Sequence, residues 1–64
     1  MKVKYDKQAD TLHIIFSENN IAESDEDKPG IILDYDKAGT IVGIEILDAS
    51  RKMSNPINVE YEAA

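Results

Sequence analysis

Apolar residues fall in short runs with a period of two. Val3 and Tyr5 alternate with Lys2 and Lys4, and Leu12, Ile14 and Phe16 alternate with polar neighbours. This pattern predicts two strands, Met1 to Tyr5 and Thr11 to Phe16, joined by the polar turn Asp6 to Asp10. With Asp6 opposite Thr11, Tyr5 faces Leu12 and Val3 faces Ile14. One face of this hairpin is apolar; the other carries Lys2, Lys4, His13 and Ile15. The densest apolar stretch runs from Gly30 to Leu47. Ile31 to Tyr35 and Thr40 to Leu47 read as a second hairpin around Asp36-Lys37-Ala38-Gly39. That tetrapeptide fits a type I turn followed by a left-handed residue, a conformation glycine adopts without a Cβ penalty.

The turn implies a register. Asp36 pairs with Thr40, Tyr35 with Ile41, Asp34 with Val42, Leu33 with Gly43 and Ile32 with Ile44. Residues opposite one another share a face. One face then holds Ile32, Val42, Ile44 and Ile46, and the other Ile31, Leu33, Tyr35, Ile41 and Leu47. Asp34 and Glu45 are the polar exceptions. A hairpin apolar on both sides needs cover on both sides. Gly43 in mid-strand suggests close approach of another backbone or ring.

Between the hairpins, Ser17 to Asn20 reads as a turn and Ile21 to Ser24 as a short strand. Ser24 to Gly30 reads as a charged loop closed by Pro29-Gly30. After Leu47, Asp48 is placed to cap a helical turn ending at Met53, and Asn55-Pro56 stops it. Ile57, Val59 and Tyr61 then alternate with polar residues, the pattern of an amphipathic strand that pairs with a sheet edge in its own chain or a partner. The expected fold is mainly β, with α+β at the margin. It is an antiparallel sheet of two hairpins in one domain, residues 1–53, with a short C-terminal helix over 48–53. Residues 54–64 form a tail able to supply an extra strand.

The chain has 64 residues and no Cys, so neither a disulfide nor a thiolate metal site stabilises it. A domain this short buries only about 60% of its unfolded surface, which favours oligomerisation. The net charge of −6 disfavours nucleic acid and anionic membranes and suits a basic protein partner. No apolar run approaches the ~20 residues of a membrane span. Without Cys or a targeting segment, the cytoplasm is the expected location.

Few residues suggest chemistry. His13, the single histidine, falls beside Lys4 on the polar face, where no orienting partner is placed, and reads as solvated. Glu23, Asp25, Glu26 and Asp27 form the densest acidic cluster but lack the spacing of a calcium loop. Ser17, Ser24, Ser50 and Ser54 read as turn or cap residues, and Gly30, Gly39 and Gly43 do not make a phosphate loop. No catalytic, cofactor or metal residue is assigned.

Lys2-Val3-Lys4-Tyr5-Asp6, Ala9 to Ile14, Gly30 to Asp36 and Gly39 to Ser50 together resemble domain of unknown function 2283, over about residues 2–52. Val42-Gly43-Ile44-Glu45-Ile46-Leu47-Asp48-Ala49-Ser50 carries the most specific likeness. The resemblance implies a small prokaryotic protein of compact antiparallel β type and supplies no catalytic residues. It also hints at an antitoxin-like role, since some members are thought to lie beside small toxin-like proteins.

The expected function is a non-enzymatic protein-interaction module, homodimeric and able to neutralise a basic protein. Ile31, Leu33, Tyr35, Ile41, Leu47, Ile57, Val59 and Tyr61 are the interface candidates. The alternative is a small-ligand or divalent-metal-binding protein that uses the acidic loop 23–27.

Overall fold

The computed structural model describes residues 1–64. Five strands, β1 (Lys2–Asp6), β2 (Thr11–Ile15), β3 (Glu23–Lys28), β4 (Ile31–Tyr35) and β5 (Ile41–Ile46), are followed by one helical turn, α1 (Ala49–Lys52). They form one antiparallel sheet in the order β1-β2-β5-β4-β3. The mainly β architecture matches the sequence pattern. The central seam is the β2–β5 pairing, which joins the first hairpin to the β3-β4-β5 meander.

The two turns share one device. The Asp6 Oδ1 accepts from the backbone N–H of Gln8 (3.0 Å) and Ala9 (3.2 Å). Likewise, the Asp36 Oδ1 accepts from Ala38 (2.9 Å) and Thr40 (3.0 Å). Such Asx contacts fold the chain back on itself locally. The left-handed position is taken by Asp10 in the first turn (φ 49°) and by Gly39 in the second (φ 82°). The first hairpin has the expected register, with Val3 opposite Ile14, Tyr5 opposite Leu12 and Asp6 opposite Thr11.

The second hairpin departs from expectation. Tyr35 pairs with Ile41, but Asp34 then pairs with Gly43, Leu33 with Ile44, Ile32 with Glu45 and Ile31 with Ile46. Val42 is an extra residue in β5, a bulge that shifts everything beyond it by one position. The expected two apolar faces therefore do not form. From the pairings, Val3, Tyr5, Leu12, Ile14, Ile31, Leu33, Ile44 and Ile46 share one face. Lys2, Lys4, His13, Ile15, Ser24, Ile32, Asp34, Gly43 and Glu45 share the other.

Three further expectations are corrected. Residues 23–27 are not a loop but most of edge strand β3, paired to β4 from Glu23–Tyr35 to Glu26–Ile32. Backbone pairing to β4 outweighs the poor strand propensity of this acidic run. The tail residues Ile57, Val59 and Tyr61 form no strand and stay exposed; their alternation meets no sheet edge in the chain. The helix spans Ala49–Lys52, and Asp48 does not cap it: it is left-handed (φ 52°) and its side chain makes no cap hydrogen bond. Asp10 provides the cap from a distance. Its carboxylate accepts from the Ser50 N–H (2.9 Å), the Ser50 hydroxyl (2.6 Å) and the Tyr5 hydroxyl (2.7 Å). The Asp10 carbonyl accepts from the Ala49 N–H at 2.9 Å. These bonds seat α1 at the end of the sheet beside the first turn and bury Ala49 completely.

Candidate functional site

The bulge decides what lies around His13. His13 on β2 faces Glu45 on β5, and Asp34 on β4 faces Gly43 on β5. Because Gly43 has no side chain, the His13 ring and the Asp34 carboxylate meet above it. His13 Nε2 is 3.5 Å from Asp34 Oδ2. A Cβ built on Gly43 would stand 3.0 Å from the Ile14 carbonyl oxygen, the close backbone approach the sequence suggested, 3.4 Å from that nitrogen and 3.5 Å from that oxygen. The glycine thus leaves a cradle that any other residue would begin to fill. One ligand atom from each of His13, Asp34 and Glu45 lies within 4.8 Å of the others.

Asp34 is the only charged residue with no solvent exposure. Its Oδ1 accepts from the Ser24 hydroxyl at 2.7 Å, which fixes the carboxylate. Its Oδ2 has no hydrogen-bond partner. A buried carboxylate oxygen left unpaired is costly, so it points to a use beyond the fold. Burial holds the Glu45 carboxyl above its ordinary range; the adjacent Asp34 carboxyl adds to this, while His13 opposes it. His13 keeps 28% of its side chain exposed, so the cluster is reachable from solvent. The ring stands between two small recesses of about 230 and 220 Å³. Lys4, Asp6 and Thr11 line the first, and Ser17, Ile21 and Val42 the second.

His13 therefore has two carboxylate neighbours besides Lys4, where the sequence reading placed no orienting partner. Asp34 and Glu45 stood out in the sequence only as carboxylates interrupting an apolar hairpin, with Gly43 between them. Together with a lone histidine on a neighbouring strand, that is a usable signal, because charged residues are rarely buried without a partner. The acidic run Glu23, Asp25, Glu26 and Asp27 brings no three ligand atoms together. Strand alternation sends its side chains to both faces, and every residue of β3 is exposed.

The interface candidates are dispersed by the fold. Ile31 and Leu33 lie half-buried on the apolar face, and Tyr35 and Ile41 pair at its end beside the bulge. Leu47 sits in the turn after β5, where its N–H bonds to the Gly30 carbonyl at 2.8 Å. Ile57, Val59 and Tyr61 project from the tail.

A family model described as "Protein of unknown function (DUF2283)" matches residues 2–50, which include every strand and the three clustered side chains. The chain belongs to this family. The DUF2283 chain is also 37% identical over 51 residues to uncharacterized protein MJ0789 of Methanocaldococcus jannaschii. The match takes in 80% of the chain but 43% of that relative, so the chain spans less than half its length. No solved structure matches. No helix is long and apolar enough to cross a membrane.

Proposed function

We propose that this chain is a non-enzymatic protein-interaction module that works as a homodimer, joined through the apolar face of its sheet. The supporting observation is a face without a second layer. The sheet is a single sheet, and its one helix is a single turn tied to the sheet end by Asp10. Val3 is left 37% exposed and Phe16, one step beyond β2, 43% exposed. Ile14, Leu33, Ile44 and Ile46 are only half-buried. Fully covering such side chains is worth roughly 1.5–3 kcal/mol each. A contiguous apolar patch on a small domain associates, and twofold pairing is the commonest closed outcome.

The opposite charge pattern supports a further partner. Glu23, Asp25, Glu26 and Asp27 stand exposed along edge strand β3. That edge remains free in a face-to-face dimer and suits a basic protein, in keeping with an antitoxin-like role.

Light scattering tests the dimer. The unaltered chain is expected at twice its monomer mass at tens of micromolar. Phe16→Glu and Val3→Glu are expected to give monomers with an unchanged circular dichroism spectrum, since both side chains are already partly wet. A folded wild-type monomer at that concentration would overturn the reading.

A further inference from the structure

We infer that His13, Asp34 and Glu45 form a site for a divalent first-row transition-metal ion of the zinc class, on the polar face of the sheet. Three observations converge. The ligand atoms of the three side chains are clustered within 4.8 Å. The Asp34 Oδ2 is fully buried, lacks a hydrogen-bond partner and lies 3.5 Å from the His13 nitrogen. Gly43 withholds a side chain from the space beside both atoms.

The distances suit such an ion. Ligand atoms at ~2.0–2.1 Å from a tetrahedral zinc lie about 3.3–3.4 Å apart. The separation of Nε2 from Oδ2 is 3.5 Å. Glu45, half-buried on a longer stem, has its ligand atom within 4.8 Å of the other two and would need to rotate its side chain to close the set around an ion. The donor set selects the metal. An imidazole with two carboxylates suits zinc and its neighbours, whereas magnesium and calcium prefer oxygen alone. Ser24 already holds Asp34 Oδ1 at 2.7 Å and so leaves Oδ2 to bind. That is the outer-shell bond that orients a ligating carboxylate. A dication would also neutralise the repulsion between the Asp34 and Glu45 carboxylates. Three protein ligands leave a further position, open to solvent past the exposed edge of His13.

Zinc titration, followed by calorimetry and by the ¹⁵N signals of the His13 ring, tests the site. One zinc per chain is expected, with a large shift of Nε2 and a higher melting temperature. His13→Gln and Glu45→Gln should each weaken binding by at least about tenfold while the backbone spectrum shows the sheet intact. Phe16→Glu, on the other face, should bind as the wild type does. Magnesium in excess should not compete. The inference is overturned by an absence of saturable zinc binding, by wild-type affinity in both variants, or by shifts confined to Glu23–Asp27.

Discussion

Asp10 and Asp34 each sit where separate parts of the chain meet, but their oxygens are used differently. Asp10 joins the first turn, β1 and α1, and both of its carboxylate oxygens are occupied, by Tyr5 and twice by Ser50. The Ser50 hydroxyl, then the Tyr5 hydroxyl, hold the Asp10 carboxyl below its ordinary range. The same bond to Asp10 raises the Tyr5 phenol. Asp34 joins β2, β3, β4 and β5, yet only Oδ1 has a donor, and its neighbours include a second carboxylate. A carboxylate that serves the fold is surrounded by donors. A carboxylate kept buried with a free oxygen beside another acid works against the fold and is held in place by it.

The largest effect in this contrast is expected at Asp10. Asp10→Ala removes the acceptor for three donors and leaves a left-handed residue with nothing to offset its strain. Its melting temperature should fall by several degrees. Asp10→Gly should fall less, because glycine adopts that conformation freely. Thermal melts that rank Gly at or below Ala would remove the strain argument, and an unchanged melt for both would remove the anchor.

Acid sharpens the comparison. The folded pKa of Asp10 lies below its ordinary value of 3.8, so its contribution is fully present above that value. It is lost as pH falls through the folded pKa. The difference in urea midpoint between wild type and Asp10→Asn should therefore be constant at neutral pH and shrink in the acid range. A difference that widens toward acid would reverse the sign and refute the assignment.

The smallest effect is expected at Asp34→Asn. The amide oxygen keeps the Ser24 bond, and the amide nitrogen offers Glu45 a donor in place of a like charge. The change should lie between zero and a gain of about 1 kcal/mol. A loss in urea midpoint as large as that of Asp10→Ala would erase the distinction between the two acids.

Much of the fold was legible where local chemistry sets the pairing. Asp6 and Asp36 mark both turns, and the period-two pattern yields the β1–β2 register and the Tyr35–Ile41 pair. The bulge at Val42 was not legible, because a Val-Gly step reads equally well as regular strand. It required the partner strand β2, where Ile15 pairs with Gly43. The site was hidden for the same reason: one residue of slip decides whether Asp34 faces Val42 or Gly43. Strand β3 was read early and short, as Ile21 to Ser24, because the acidic run beyond disfavours sheet and its place comes from pairing with β4. The tail shows the converse, an alternating pattern that meets no strand within its own chain.

The central seam has a kinetic consequence. The first hairpin and the β3-β4-β5 meander close by short loops, whereas β2 and β5 come from opposite ends of the chain. Pairing across a long loop carries the larger entropic penalty and tends to come late in folding. His13 lies on one side of that seam, and Asp34 and Glu45 on the other. The cluster is therefore expected to assemble late in folding, when the two halves pair. Whatever bridges it would clasp the two halves after they meet, slowing their separation while leaving the rate of their encounter almost untouched.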